Sequence, residues 1–374
     1  MRCFIGLMSG TSLDAVDGAL VEIDETRAEV RTVCFASQSL DEALRSELEA
    51  LQSPQPDELA RAALAGNRLA DAYAAVTARL LEHAGMAASS IRAIGAHGQT
   101  VRHRPELGYT IQLLNAARLA ETTAIPVVCD LRAADLAAGG QGAPLAPAFH
   151  AQAFRAGQER RAVVNLGGIA NVTLLAPAST AEAVLGFDTG PANTLLDSWC
   201  RRHTGAEFDR DGAWARAGRP DASLLAAWLA DPYFALAAPK STGRDLFNAE
   251  WLDRSLAARP TSAPREPRDV QATLVELTAV TVVHACTAFR ADRIYVCGGG
   301  ARNRFLMERL AAHAAPAPVV STQALGLDPQ AVEAAAFAWL AACRVDAAAG
   351  NLPTVTGASG PRVLGLLADP RPRE

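Results

Sequence analysis

The chain has 374 residues, 50% of them hydrophobic, and a formal net charge of -5 at pH 7. That length can bury two separate hydrophobic cores, and the acidic balance provides no basic surface for nucleic acid or anionic lipid. Seven scattered cysteines without CxxC spacing favour reduced thiols over disulfides or a thiolate-metal site, and the lack of a signal peptide or of ~20 consecutive apolar residues predicts a cytoplasmic protein that does not enter a membrane.

The first part of the chain predicts a meander of strands followed by alternating helices and strands. Short runs rich in Val, Ile and Phe, separated by turn residues, predict strands at 2–7, 15–23 and 30–36. An Ala- and Leu-rich run with charges at helical spacing predicts a helix at 57–83. One α/β unit is then completed by a strand at 91–96, a helix at 115–122 and a strand at 126–129.

Glycines and prolines that follow residue 130 interrupt this pattern and predict a domain crossing. We expect one domain to comprise 1–131 with about 346–374, and the other 132–345. The second domain again begins with a strand, a glycine turn and a strand, so the sequence predicts a duplicated α/β fold. Its predicted elements are strands at 162–165, 170–175 and 293–297, helices at 193–203, 270–289, 303–313 and 330–344, and a surface loop at 259–268.

Three glycine-containing turns could bind an anion through their backbone N–H groups. They contain Gly10, Thr11 and Ser12 in the first hairpin, Gly167 and Gly168 in the second, and Gly298, Gly299 and Gly300 between a strand and a helix. In the first hairpin, Asp14 could also hold a Mg²⁺-bound water. The alternative for each turn by itself is an ordinary hairpin or strand-to-helix connection.

Familiar nucleotide-binding and hydrolase motifs are absent from the sequence. A P-loop needs Gly-Lys-Ser/Thr, but the only lysine, Lys240, follows Pro239. The Rossmann pattern GxGxxG fails at the triple glycine because Asn303 takes its last place. No HExxH or GxSxG occurs. A bound nucleotide would therefore lie between the two hairpins.

Asp188 is the candidate catalytic group. It ends an apolar run before a helix that begins near Ala192, which predicts a carboxylate at a strand end, where open sheets bind ligands. The alternative is a helix cap, but three residues intervene. His97 and Gln99 follow another strand in the same manner, although a lone histidine is as readily a buried structural residue.

Three further polar residues are candidates for binding. Arg132 and Asp135 lie in the predicted crossing loop, where binding groups cluster, but such a pair can also be purely structural. Glu333 lies in the apolar helix at 330–344, where a carboxylate either faces solvent or meets a ligand. The sequence alone favours solvent for this residue.

Together, the motifs resemble one family. In chain order they are GLMSGTSLDAVD, GAHGQTVRH, GGQGAPLAP, NLGGIANVT, GFDTGPANTLLD, KSTGRDLFN and CGGGARN, and the resemblance extends from residue 6 to about 360. This is the order found in the anhydro-N-acetylmuramic acid kinases, which belong to the sugar kinase, Hsp70 and actin superfamily. The resemblance implies a two-domain actin-like (RNase H-like) α/β fold, with duplicated mixed sheets flanked by helices and an interdomain cleft that closes over ATP.

The resemblance also implies a reaction in peptidoglycan recycling. The family converts 1,6-anhydro-N-acetylmuramic acid, ATP and water to N-acetylmuramic acid 6-phosphate and ADP. Asp188 matches its base, which activates water for attack at the anomeric carbon while O6 takes the γ-phosphoryl group. One carboxylate can then replace the two that ordinary glycosidases use.

By the same resemblance, the ligands are ATP, Mg²⁺ and a small amino sugar, and the protein is a homodimer. The implied nucleotide-binding residues are Gly10, Thr11, Ser12, Leu13, Asp14, Asp17, Asn165, Gly167, Gly168, Asn171, Gly298, Gly299, Gly300 and Asn303. The implied sugar-binding residues are His97, Gln99, Thr100, Arg132, Asp135 and Glu333.

The chain departs from the family pattern at Ala15 and Ala192, where the family usually has glycine. An alanine costs of order 1 kcal/mol only where the backbone is left-handed. Two other functions stay open. One is a conventional sugar kinase, in which Asp188 deprotonates a sugar hydroxyl. The other is a nucleotide-driven switch like Hsp70 or actin, which would need a peptide-binding or filament-forming part.

Overall fold

The computed structural model describes residues 1–10, 13, 15–26, 29–238, 240–243, 245–258 and 265–370. The chain divides into two compact units: unit 1 is Met1–Ala153 with Gly326–Glu374, and unit 2 is Phe154–Leu325. The domain boundaries expected at 131 and about 346 thus differ from those of the compact units. Hydrogen bonds cross the expected boundary near 346, because Asn351 and Thr356 both donate to Asp135.

Runs of strands alternate with runs of helices along the chain. The strands are β1 (Arg2–Ser9), β2 (Ala15–Ile23), β3 (Val30–Ser39), β4 (Ile91–Ala96), β5 (Gln99–Arg104), β6 (Tyr109–Leu113), β7 (Val127–Cys129), β8 (Arg161–Leu166), β9 (Ile169–Leu175), β10 (Leu185–Pro191), β11 (Arg293–Cys297), β12 (Val319–Ser321) and β13 (Leu366–Ala368). The α-helices are α1 (Glu42–Ala50), α2 (Glu58–Ala84), α3 (Ala116–Thr123), α4 (Ala133–Ala137), α5 (Ala146–Phe154), α6 (Asn193–Thr204), α7 (Ala213–Arg216), α8 (Ala222–Leu229), α9 (Pro232–Ala235), α10 (Ala249–Ala257), α11 (Pro267–Ala288), α12 (Arg304–Ala314), α13 (Val332–Val345) and α14 (Pro353–Thr356). Short 3₁₀ helices lie at Ala88–Ser90, Pro105–Leu107, Arg210–Gly212, Gly299–Arg302 and Thr322–Leu325.

Unit 1 is built on a six-stranded sheet in the order β13-β7-β4-β1-β2-β3. β1, β2 and β3 form an antiparallel meander, and β1, β4 and β7 run parallel. Gly6 of β1 and Gly95 of β4 pair with each other, and a Cβ on either would overlap the backbone of α13. These two glycines therefore allow α13 to lie directly against the sheet. Gly18 contacts Val76 of α2 instead, so the two helices cover opposite faces.

Unit 2 repeats this strand arrangement. Its five-stranded sheet has the order β10-β9-β8-β11-β12, with β8, β9 and β10 antiparallel and β8, β11 and β12 parallel. The order matches β3-β2-β1-β4-β7 of unit 1, strand for strand. The predicted fold class, α/β with duplicated mixed sheets flanked by helices, is confirmed. The interdomain cleft stays a prediction.

Each unit has its own apolar core. In unit 1 the core lies between the sheet and helices such as α2, and in unit 2 it centres on the sheet and α11. Among the described residues, α11 alone is long and apolar enough to cross a membrane, but 78% of its most apolar window is buried. Because a buried core helix can have the same length and composition as a membrane span, these two properties of α11 are weak evidence for one.

Some details near the predicted sites and loops differ from the sequence-based expectations. The β5–β6 hairpin was not predicted, because its alternation is broken by Pro105 and Gly108. Pro267 and Arg268 open α11 and do not belong to a loop, while 259–264 lie outside the described residues. Asp188 lies inside β10, where the ladder is irregular between Asp188 and Gly190, and not at the strand's end.

Candidate active site

The first hairpin turn is only partly described. Thr11, Ser12 and Asp14, predicted to contact the nucleotide or its metal, lie outside the described residues. Gly10 accepts a hydrogen bond from the backbone N–H of Leu13 at 3.2 Å, and Leu13 has a left-handed φ of 55°. Its buried side chain packs into the core of unit 1.

Two predicted features follow the first turn on β2. Asp17 is half-buried and pairs with Met8 of β1. Ala15 lies inside β2, pairs with Ser39 of β3 and does not have a positive φ. The alanine that replaces the family glycine therefore costs no backbone strain at this position.

The second hairpin turn is fastened to the N-terminus of α6. Backbone N–H groups of Ala192 and Asn193 donate to the carbonyls of Gly168 and Gly167 at 3.0 and 3.1 Å. A Cβ on Gly168 would lie 2.6 Å from Oγ1 of Thr194, so the turn and the helix are in close contact. Ala192 has a φ of -132°, which lies outside the left-handed region where an alanine costs of order 1 kcal/mol more than a glycine.

The third turn lies directly against the second. Gly298 has a left-handed φ of 81°, and a Cβ there would overlap Oδ1 of Asn165 and lie 2.8 Å from the carbonyl of Leu166. The contact follows from the parallel pairing of β8 and β11, which places Cys297 beside Asn165. Unit 2 thus brings the glycines of two predicted nucleotide-binding turns together.

One buried hydrogen-bond acceptor beside these turns has no donor among the described residues. Asn165 is 6% exposed, and its Oδ1 has no hydrogen-bond partner among the described residues. A buried acceptor of this kind normally has a partner, so its position fits a ligand that donates to it. Asn193 reaches across with Nδ2, which donates to the carbonyl of Leu166 at 2.9 Å. Asn303 instead caps α12 by accepting the N–H of Leu306 through Oδ1 at 3.0 Å.

Asp188 lies in the same sheet as the strands that flank these turns. Asn165, Asn171 and Asp188 occupy opposed positions on β8, β9 and β10 and form a row across the sheet. The sequence separation of these residues gives no indication of that row. It results from the antiparallel register of the three strands.

The Asp188 carboxylate is largely buried, and burial raises its pKa above the ordinary aspartate value. One hydrogen bond acts in the opposite direction, because the backbone N–H of Thr242 donates to Oδ2 at 3.0 Å. The Tyr233 hydroxyl donates to the backbone carbonyl of Asp188 at 2.7 Å. A carboxylate with a raised pKa in a partly dry environment is suited to accept a proton.

In unit 1, His97 and Arg132 form a direct pair. The Arg132 guanidinium donates to Nε2 of His97 at 2.8 Å and to the carbonyl of Gly142 at 2.7 Å. Burial lowers the pKa of Arg132 to about 10. Burial and the nearby Arg132 charge lower the pKa of His97 to about 3. The pair therefore contains a charged arginine and a neutral imidazole at pH 7.

Gln99 and Thr100 open β5 next to this pair in sequence. Gln99 is 1% exposed, and its Oε1 has no partner within the described part of the chain. Thr100 Oγ1 accepts a hydrogen bond from Gln112 of β6 at 3.1 Å. Gln99 is thus a second buried acceptor whose position fits a ligand donor.

Asp135 lies in a buried hydrogen-bonding network of unit 1. It is 0% exposed, its Oδ1 accepts from Asn351 and Thr356 at 2.6 and 2.7 Å, and its Oδ2 accepts from the N–H of Gly142 at 2.8 Å. Both oxygens are used inside unit 1. This geometry supports a structural role that holds the glycine loop, and with it the Gly142 carbonyl that Arg132 contacts.

Glu333 is exposed in the first turn of α13, the position that the sequence alone favoured. One residue near Arg132 was not predicted. Asp130 follows β7 with a left-handed φ of 51°, and burial raises the pKa of its carboxyl. Strained backbone of this kind is common at functional sites, but a single sequence gives no signal for it.

No cluster of three or more His, Cys, Asp or Glu side chains suited to a metal occurs among the described residues. The predicted magnesium contact, Asp14, lies outside them. The glycine turns and the acceptor of Asn165 fit a nucleotide.

The chain is similar to a family of known proteins over most of its length. A family model described as anhydro-N-acetylmuramic acid kinase matches residues 2–369. A protein of that name from Bordetella pertussis (strain Tohama I) is 56% identical over 369 residues, which cover 98% of this chain and 96% of that protein. Another from Variovorax paradoxus (strain S110) is 53% identical over 373 residues, with 97% and 98% covered.

Proposed function

Because the chain belongs to the anhydro-N-acetylmuramic acid kinase family, we propose that it is a hydrolytic kinase of peptidoglycan recycling. It converts 1,6-anhydro-N-acetylmuramic acid, ATP and water to N-acetylmuramic acid 6-phosphate and ADP. The observation that carries the proposal is the partly buried Asp188 carboxylate, which has a raised pKa and lies on the sheet whose strands lead into the glycine turns of unit 2.

The proposed reaction combines two bond exchanges. Asp188 takes a proton from water as the water oxygen forms a bond with the anomeric carbon and the bond from that carbon to O6 breaks. O6 forms a bond with the γ-phosphorus, and the phosphorus bond to the bridging oxygen breaks, leaving ADP. The proton on Asp188 then passes to solvent. Phosphoryl transfer removes the charge that would otherwise accumulate on O6.

The nucleotide is proposed to lie along the turns of unit 2. Backbone N–H groups of Gly167, Gly168 and Gly298–Gly300 are suited to phosphate because glycine lets an anion approach closely. The buried Oδ1 of Asn165 would accept a donor of the nucleotide. Mg²⁺, when bound with ATP, would neutralise phosphate charge.

The sugar is proposed to contact residues of unit 1. The Arg132 cation is suited to a carboxylate of the sugar, and the Gln99 Oε1 is suited to a hydroxyl or amide donor. Neutral His97 positions Arg132 by accepting its hydrogen bond. Thr100 and Glu333 are kept as sugar contacts on the family resemblance only. By the same resemblance, we propose that the protein is a cytoplasmic homodimer. Light scattering would measure its oligomeric state.

The test is incubation with ATP, Mg²⁺ and 1,6-anhydro-N-acetylmuramic acid in ¹⁸O-water, followed by mass spectrometry of the sugar. We expect a 6-phosphate with one ¹⁸O at the anomeric carbon, and no product from a folded Asp188→Asn variant. A phosphate on an unopened sugar, or phosphorylation of a different sugar only, would contradict the hydrolytic mechanism and favour a conventional sugar kinase.

A further inference from the structure

The segment 240–242 lies along the outer edge of β10. Among the described residues, β10 is the terminal strand of its sheet and pairs with β9 on one side. On the other side, the N–H of Asp188 donates to the carbonyl of Lys240 at 3.0 Å, and the N–H of Thr242 donates to Oδ2 of Asp188 at 3.0 Å. The segment therefore holds both the backbone and the carboxylate of Asp188.

Lys240 fastens the start of this segment. Its ammonium donates to the carbonyls of Tyr233 and Phe234 in α9 at 3.2 and 3.3 Å, and lies 4.6 Å from the centre of the Tyr233 ring. Tyr233 in turn donates its hydroxyl to the backbone carbonyl of Asp188. Lys240 is therefore linked to Asp188 in two ways: through its contacts with α9, and through the hydrogen bonds of segment 240–242. Lys240 is also the only lysine in the chain.

We propose that Lys240 is a positioning residue for Asp188, which acts by holding segment 240–242 against β10 so that the Thr242 N–H fixes one carboxylate oxygen. The role of Asp188 as base rests on the proposed function, whereas the contacts of the segment do not. The motif KSTGRDLFN contributes to the family resemblance without indicating a role for its lysine.

A second observation indicates that this place receives a ligand. Oγ1 of Thr242 is buried and has no hydrogen-bond partner among the described residues. It belongs to the residue whose backbone N–H already contacts the candidate base. Holding the segment in place therefore also places a hydroxyl beside Asp188 that is available to a bound molecule.

The segment should affect the protonation of Asp188. The Thr242 N–H stabilises the ionised carboxylate and lowers its pKa, which opposes the larger effect of burial. The titratable groups beside Asp188 are Tyr233, whose pKa is raised by burial and by Asp188, and Lys240, whose pKa is lowered by burial. β9 presents the uncharged Asn171 opposite Asp188. Loss of the Thr242 contact would raise the pKa of Asp188 further.

The test compares Lys240→Met, which removes the charge, with Lys240→Arg, which retains a cation and its donors. We expect Lys240→Met to lower kcat about 10-fold or more with the KM for the sugar changed less than about 3-fold, and to move the acid limb of the kcat profile to higher pH by about one unit. In Lys240→Arg, the acid limb of the kcat profile should lie at the same pH as in the wild type. If a folded Lys240→Met variant has the kcat and the acid limb of the wild type, the proposal is overturned.

Hydrogen exchange provides a readout that does not depend on turnover. In Lys240→Met, peptides that contain 240–243 and Asp188 should exchange their amide hydrogens faster than in the wild type, while peptides of β8 and β11 should not change. Equal protection in the two proteins would contradict the positioning role. If the wild type does not open the anhydro sugar at all, the proposed function fails, but the exchange result still decides whether Lys240 holds the segment.

Discussion

The guanidinium of Arg132 donates to Nε2 of His97 over 2.8 Å. Because an arginine cannot accept a hydrogen bond, Nε2 is the acceptor and the neutral ring carries its proton on Nδ1. Protonating Nε2 would remove this hydrogen bond and place two cations in contact. The pair therefore keeps its geometry only while the histidine is neutral, and burial lowers the pKa of His97 to about 3.

We predict that unit 1 loses stability as the pH falls below about 6.5. His97 and His150, which is 2% exposed, both have a pKa lowered to about 3, whereas an unfolded histidine has a pKa of about 6.5. The unfolded chain therefore binds protons first, and stability is complete above that value and decreases towards pH 3. For His150 the loss between pH 7 and 5 is about 2 kcal/mol.

Urea unfolding of the wild type and of His150→Asn at pH 7 and pH 5 measures this effect. The variant should be less stable at pH 7 but less sensitive to pH. If the two proteins lose the same free energy of unfolding between pH 7 and 5, the buried neutral state of His150 is not the cause.

We predict that the kcat of the wild-type protein falls on acidification with a midpoint above the ordinary aspartate pKa of about 4. The base must be ionised to accept a proton, and burial raises the pKa of Asp188. The measurement is a pH profile of kcat with saturating substrates. A midpoint at or below about 4 would contradict the assignment of this limb to Asp188.

We predict that Gly298→Ala weakens ATP binding by about 10-fold or more and lowers the free energy of unfolding by about 2 kcal/mol. The alanine would have a left-handed φ, and its Cβ would overlap Oδ1 of Asn165. Gly299→Ala is the matched control for the loss of stability, since the atom nearest to its Cβ is Nδ2 of Asn193 at 3.8 Å. Calorimetric titration with ATP and urea unfolding measure both effects. Equal behaviour of the two variants would show that the close contact at Gly298 has no energetic consequence.

We predict that Asp135→Asn destabilises unit 1 by about 1–3 kcal/mol, because an amide nitrogen would replace an acceptor that faces buried donors. It should also raise the KM for the sugar, since the loop that Asp135 holds carries the Gly142 carbonyl bound by Arg132. Thr356→Val removes only one of the three hydrogen bonds to the carboxylate and should have a smaller effect. Urea unfolding and sugar kinetics measure these changes, and a larger loss in Thr356→Val would contradict this order.

The sequence by itself determined the family, the fold class and the positions of the glycine turns. These features are local, because a strand, a turn and a helix cap each depend on residues within a few positions of one another. The hairpins at Gly10 and at Gly167–Gly168 and the strand-to-helix turn at Gly298 are therefore recognisable from their neighbouring residues alone. The motifs that carry the resemblance are local in the same sense.

Only the tertiary structure decided which of these pieces meet. Asn165 contacts the turn at Gly298 because β8 and β11 pair in parallel. Asp188 meets Thr242, and Asp135 meets Asn351, across 54 and 216 positions of the chain. Such contacts depend on strand register and on the burial of whole faces, and residue spacing does not encode them. For the same reason Asp135, predicted as a sugar contact, has its oxygens bonded inside unit 1, and Lys240 has contacts with α9 and β10 that its motif alone does not indicate.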